Sequence, residues 1–120
     1  MTQKKCDALI TPIVKKERPY CEACGHPTEV GHHFIEKSRS SFLRYDIDRN
    51  IIALCHSCHA KIHNRFGNSV MGCVDVVDTL VKKRGKRWLN ELRKLAPTYN
   101  KVNAEFYARN YELLKARYES

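Results

Sequence analysis

The chain has no apolar run approaching the length of a membrane span, and its opening, Met-Thr-Gln-Lys-Lys-Cys-Asp, lacks the long apolar segment of a secretory signal. The expectation is a cytoplasmic protein with no membrane partner. Internal repeats and low-complexity tracts are missing too, which argues against a solenoid or a disordered linker as the main architecture. Acidic residues are scarce: 13 Asp and Glu stand against 22 Lys and Arg, for a formal net charge of +9. A deficit of that size implies a polyanionic partner, and nucleic acid is the commonest soluble one. No recognition-helix pattern with identifiable base-reading residues stands out.

At 120 residues the chain is one domain's worth, enough for a single modest core. Three stretches are expected within residues 1–120. Residues 1–17 read as an N-terminal arm or short strand, with Ala8-Leu9-Ile10 broken by Pro12. Residues 18–66 form a Cys/His-rich core ended by the breaker sequence Gly67-Asn68-Ser69, and residues 67–120 form a basic helical extension. In that extension Val74, Val77, Val81, Trp88, Leu92 and Leu95 recur at helical spacing, on one helix or on two hinged at Gly85, until Pro97 stops the pattern. A second amphipathic segment then places Phe106 beside Leu113, and Tyr107, Tyr111, Leu114 and Tyr118 on one stripe, which reads as core in preference to a base-stacking platform.

Six cysteines permit a disulfide framework, but a reducing compartment and two Cys-x-x-Cys pairs favour thiolates on zinc. Cys21/Cys24 and Cys55/Cys58 follow the spacing C-x2-C-x30-C-x2-C, so one structural Zn2+ would join the start of the core to its end and close a long loop. Gly25 sits where such a knuckle needs positive φ. His26 and His56 adjoin the thiols as substitute ligands, and Cys6 and Cys73 read as ordinary free thiols.

A plain zinc ribbon would not need what lies inside this clip. Glu29 to Ile35 reads as a strand carrying the doublet His32-His33, whose imidazoles point to opposite sides in extended chain. Asn50 to Leu54 reads as a second strand, introduced by a polar loop at Asp46 to Arg49. His59 and His63, at i and i+4, share a helix face and can bind one cation together. The expected order is strand, loop, strand, helix, with a divalent ion between the first strand and the helix.

With His32-His33, Asn50 and His59-x-x-x-His63 in that order, the core resembles the HNH endonucleases, the ββα-metal or His-Me finger nucleases. Asn50 to His63 has the N-x8-H-x3-H spacing of the colicin-type domains, and the flanking Cys-x-x-Cys pairs resemble zinc-braced phage and bacterial HNH proteins. The resemblance covers residues 18–66 and implies an α+β fold: a small ββα-metal core braced by a four-cysteine zinc site, followed by amphipathic helices. It implies His33 as general base, Asn50 as the holder of the loop that orients it, and His32, His59 and His63 as ligands of a catalytic divalent ion, Mg2+, Mn2+, Ni2+ or Zn2+. The implied activity is hydrolysis of duplex or branched DNA, by nicking or double-strand cleavage, leaving a 5′ phosphate and a 3′ hydroxyl. Two departures stand out: many zinc-braced relatives carry Asp at the position of His32 and no ligand at that of His63, which leaves two or three histidines for the ion, and the loop between His33 and Asn50 is longer than in the tightest colicin version.

Basic residues complete the expectation. Lys37, Arg39 and Arg44 in the loop, Lys61 and Arg65 on the metal helix, and the run Lys82, Lys83, Arg84, Lys86 and Arg87 are candidate phosphate contacts. Between Lys82 and Ser120, eleven Lys/Arg against four Glu supply seven of the nine net charges. A homo-oligomer is compatible with the aromatic last helix. The competing readings are a zinc-stabilised nucleic-acid-binding module without catalysis, and a redox or zinc-storage protein using the cysteines alone, which leaves the histidines and Asn50 unexplained.

Overall fold

The computed structural model describes residues 2–37, 40–66, 74–98 and 102–120. In chain order these give α1 (Thr2–Glu17), β1 (Val30–His33), α2 (Ile47–Asn50), β2 (Ile51–Leu54), α3 (His56–Phe66), α4 (Val74–Arg84), α5 (Lys86–Leu95) and α6 (Ala104–Glu119). The fold is α+β, with helices around one small sheet. The breaker sequence Gly67-Asn68-Ser69 and Cys73 lie outside the described residues.

The sheet is a single antiparallel pair in the register Val30↔Leu54, Gly31↔Ala53, His32↔Ile52 and His33↔Ile51. All four β2 residues are buried, and successive strand side chains must leave by opposite faces. Ile51 and Ala53 join Cys6, Ile10, Ile13, Val14, Ile47 and Leu114, a core under α1 and α6. Ile52 and Leu54 join Phe34, Leu43, Ile62, Val76, Leu80, Leu89 and Leu92, a core under α3, α4 and α5. A two-stranded sheet alone is marginal in water; covering both faces with helices is what stabilises it.

Residues 2–17, expected as an arm or short strand, form a helix instead. Cys6, Ile10, Ile13 and Val14 recur at helical spacing and are all buried. Pro12 stays inside this helix; the carbonyl that loses its donor belongs to Ala8, an exposed position where water can replace the bond. Helix α1 meets β1 closely at Gly31, where an added Cβ would lie 3.0 Å from both Ile51 Cγ2 and Val14 Cγ2. The Gly31 amide donates to Thr11 Oγ1 at 3.2 Å. The stretch expected as a polar loop before β2 is instead the one-turn helix α2, capped by the Asp46 carboxylate, which accepts from the Arg49 amide.

Helices α4 and α5 break at Gly85, whose φ of 94° supplies the expected hinge. Arg84, at the end of α4, is bound inside the fold. Its guanidinium pairs with Glu22 at 2.7 Å, donates to the Ile51 carbonyl at 3.2 Å and lies 4.9 Å over the Trp88 ring. Arg18 reaches the same Glu22 carboxylate at 3.1 Å and the Ile51 carbonyl at 2.6 Å. In α6, Phe106 and Leu114 are buried, whereas Leu113 is 64% exposed, so the expected pairing of Phe106 with Leu113 on one buried stripe does not form. Among the described residues no helix is long and apolar enough to cross a membrane.

Arg117 on α6 ties three elements together, pairing with Glu17 and with Asp48, each at 2.6 Å. Its hydrogen bonds hold both carboxyls below their ordinary values. A carboxyl lowered on folding adds stability above its unfolded pKa, and that stability is lost as pH falls through the folded one. Arg117→Ala should therefore cost about 1 kcal/mol at pH 7 in urea unfolding, mostly through the less exposed Glu17. The difference from wild type should shrink as pH drops below the ordinary carboxylate range; a gap that persists there would remove this clamp from the account.

Candidate metal and catalytic site

Two metal-competent clusters form among the described residues, and they share no side chain although both draw on α3. Cys21, Cys24, Cys55 and Cys58 place their sulfurs within 4.8 Å of one another. The first pair sits on a tight turn: the Gly25 amide donates to the Cys21 carbonyl at 2.9 Å, and Gly25 has the positive φ, 85°, expected of it. The second pair straddles the start of α3. The knuckle is stitched to β2 by the Glu22 amide on the Ala53 carbonyl at 2.8 Å and the Glu29 amide on the Leu54 carbonyl at 2.9 Å.

Thiols this close cannot all ionise unaided. Burial pushes Cys21 up, but amides of Cys55, Cys24 and Ala23 outweigh it and bring the thiol down to about 7. Cys58 is raised by burial and by its cysteine neighbours. A divalent cation supplies the charge that lets four neighbouring thiolates coexist, so the donor set fits a structural metal. His26 lies against this cluster with Nδ1 3.2 Å from Cys24 Sγ, whereas the His56 ring turns to Glu29 at 3.1 Å.

The second cluster is His32, His59 and His63, whose ring nitrogens also fall within 4.8 Å of one another. His59 Nε2 and His63 Nε2 are 2.7 Å apart, as the i, i+4 spacing on α3 dictates. The His32 ring stands 5.1 Å from that of His59 and 5.7 Å from that of His63, with its Nε2 screened from solvent. Burial, with the neighbouring His63 and His56, lowers the pKa of His59 and so favours the neutral ring, the form that binds metal.

His33 leaves the strand on the other side. It pairs with Ile51, on the α1 face of the sheet, whereas His32 pairs with Ile52, on the α3 face. One imidazole thus joins the histidine cluster while its neighbour does not. His33 is half-buried, and its Nε2 lies 2.8 Å from the Arg44 carbonyl oxygen. A carbonyl only accepts, so Nε2 carries the proton and Nδ1 keeps the lone pair. Burial lowers the His33 pKa to about 4, so the ring is neutral at pH 7.

Asn50 is 0% exposed and holds the turn between these parts. Its side-chain oxygen accepts from the Ile35 amide at 2.7 Å, and its amide nitrogen donates to the carbonyls of Ile35 at 3.0 Å and Leu43 at 3.1 Å. The loop from β1 to α2 is thereby pinned at both ends, one residue before Arg44.

The basic residues divide. Arg84 and Arg44 do not face outward as expected of phosphate contacts: their side chains are only 13% and 14% exposed, and their donors are taken by Glu22 and by Asp7 with Tyr45. Lys82, Lys83, Lys86 and Arg87 are exposed, although Lys83 also donates to the Glu22 carbonyl at 2.9 Å. Lys37 lies 4.0 Å from Asp7 and Lys61 3.8 Å from Asp75. Arg39 and the Arg65 side chain lie outside the described residues. Sequence reasoning missed Asp7, Thr11 and Tyr45 altogether; the helical spacing of Cys6, Ile10, Ile13 and Val14 was the available signal for α1, but nothing local marks Asp7 as a partner of the loop.

A small sheet backed by a helix, with histidines gathered between strand and helix and a four-cysteine clip around them, defines a ββα-metal type of core. Residues 21–65 match the family model described as HNH endonuclease, in agreement with the resemblance drawn from the motifs. No curated protein and no solved structure gives a significant match.

Removing one thiolate should dismantle the clip. Cys55→Ser is expected to lose bound metal and cooperative folding together, because structural-metal binding is of the order of about 10 kcal/mol and rivals the stability of a small domain. Metal content by elemental analysis and a thermal melt check this; a variant melting like wild type would count against the cluster as a structural centre.

Proposed function

We propose that the protein is a metal-dependent HNH endonuclease that hydrolyses DNA phosphodiester bonds. The observation carrying this reading is the division of the His32-His33 doublet: His32 joins His59 and His63 within ligand distance, while His33 is held outside that cluster with a lone pair on Nδ1. Cys21, Cys24, Cys55 and Cys58 would hold a structural Zn2+ that braces the core. His32, His59 and His63 would hold a divalent ion, which when bound would supply Lewis-acid stabilisation of charge on the phosphate and on the leaving 3′ oxygen. Three imidazole donors suit Zn2+ or Ni2+ better than Mg2+, which prefers oxygen.

The chain's own residues perform the rest. His33, neutral at pH 7, takes a proton from the attacking water at Nδ1; burial makes it available at the cost of some basicity. Asn50 keeps the loop that carries the Arg44 carbonyl in place and so acts on orientation. Lys82, Lys86 and Arg87, exposed around the α4–α5 hinge, contact the phosphate backbone, with Lys37 and Lys61 nearer the core. The whole chain acts as one domain in this reading, with the helices outside residues 21–65 supporting and anchoring the nuclease core.

Supercoiled plasmid incubated with the protein and Mn, Ni or Mg tests it. Nicked or linear DNA is expected with wild type, abolished by EDTA, and reduced roughly 100-fold or more by His33→Ala. Equal behaviour of wild type and His33→Ala in all three metals would leave only a zinc-braced binding module. A second expectation concerns charge: Lys86→Ala with Arg87→Ala should weaken DNA binding and flatten its salt dependence, by about one unit of log–log slope for each phosphate no longer neutralised. An unchanged slope would remove the hinge from the DNA-binding surface.

A further inference from the structure

Both terminal stretches outside residues 21–65 converge on one loop dipeptide, Arg44-Tyr45. Asp7 of α1 accepts the Tyr45 hydroxyl at 2.8 Å through one carboxylate oxygen and the Arg44 guanidinium at 3.1 Å through the other. Arg44 Nε donates to the same Tyr45 hydroxyl at 3.2 Å, so the three side chains close a ring of hydrogen bonds. From α6, Phe106 and Tyr107 pack against the Tyr45 ring with centroids 6.0 and 6.3 Å away, and the Arg44 guanidinium lies over Tyr107 at 6.0 Å. Thr11, one helical turn beyond Asp7, bonds the Gly31 amide in the strand that carries the doublet. Helix α1 therefore grips β1 and the loop at once.

The carbonyl of Arg44 is the one that receives His33 Nε2–H. A peptide carbonyl points where its flanking dihedrals send it, and those dihedrals belong to the two residues whose side chains Asp7 holds. Asn50 fixes the chain up to Leu43, and its side-chain hydrogen bonds stop short of Arg44 and Tyr45. Beyond Leu43 a backbone turn, with the Asp46 amide on the Leu43 carbonyl at 3.2 Å and the Ile47 amide on the Tyr45 carbonyl at 3.1 Å, brackets Arg44 and Tyr45, and Asp7 and the aromatic rings of α6 hold their side chains.

We infer that Asp7 is a positioning residue for His33: by clamping Arg44 and Tyr45 from α1, it fixes the carbonyl that holds the imidazole in its Nε2–H form. This rests on the reading of His33 as the base. Removing the carboxylate leaves only the backbone turn to hold the Arg44-Tyr45 peptide, widens its excursions, lets the ring exchange tautomers and takes the lone pair off Nδ1 for part of the time. The consequence is slower proton transfer with unchanged DNA binding. The charged groups facing Asp7 are Arg44 and Lys37.

The test uses the 15N-labelled full-length protein. The His33 ring nitrogens are followed by two-bond nitrogen–proton correlation at pH 7, and plasmid nicking is measured in parallel, for wild type, Asp7→Ala and Asp7→Asn. Expected for wild type is a protonated Nε2 with a bare Nδ1. For Asp7→Ala, the ring signals average between tautomers and kcat falls roughly 10- to 100-fold with KM for DNA unchanged. Asp7→Asn, which keeps an oxygen for the Tyr45 hydroxyl, recovers part of both and carries the comparison if Asp7→Ala does not fold. An Asp7→Ala protein that folds and keeps the wild-type tautomer overturns the inference, as does a change confined to KM. Should wild type cut no DNA in any metal, the nuclease reading falls by itself, and the ring signals alone decide whether Asp7 holds His33.

Discussion

The pairing of β1 with β2 is the constraint on which the site depends. Four residues face four, and the register sets His32 opposite Ile52 and His33 opposite Ile51. Because β2 is buried on both faces, a slip of one residue would exchange the two cores and send His33 toward α3 and His32 toward α1. The placement of two adjacent histidines on opposite faces is thus enforced by the burial of Ile51, Ile52, Ala53 and Leu54. No interaction of the imidazoles themselves is required to hold it.

So short a sheet needs support from outside, and the two sides receive it differently. On the α3 side the support is chemical: the four-cysteine cluster joins the turn after α1 to the start of α3, where His59 and His63 follow one and two turns on. On the other side it is packing and hydrogen bonding, through α1 against Gly31 and α6 against α1. The partly buried Glu22, shared by Arg18 and Arg84, links the knuckle to β2 and to the α4–α5 hinge. Desolvated charges of this kind are tolerated because each is paired and hydrogen-bonded, and breaking one would strand the others.

The candidate site was largely legible in the sequence because its ligands are local. Cys-x-x-Cys and His-x-x-x-His bring two donors together through a single turn, and alternation along a strand separates His32 from His33 whatever surrounds them. The helices α4 and α5 and the hinge at Gly85 were legible for the same reason. Helix α1 was not, because Pro12 is a helix breaker by local rules and only the burial of Cys6, Ile10, Ile13 and Val14 against a distant sheet overrides it. Arg44 and Arg84 read as free charges, since a basic run carries no mark of the carboxylates that will meet it; Asp7 and Glu22 lie 37 and 62 residues away from their partners.

What the sequence by itself determined is the set of candidate metal donors, the strand that bears the doublet and the helix that faces it, all fixed by spacings of one to four residues. Tertiary structure alone decided which way the loop carbonyl at Arg44 points, that Arg44 and Arg84 are taken by carboxylates inside the fold, and that the first and last helices join around the core. Those outcomes depend on contacts between residues far apart in the chain, and such contacts exist only once the two faces of β2 have been buried.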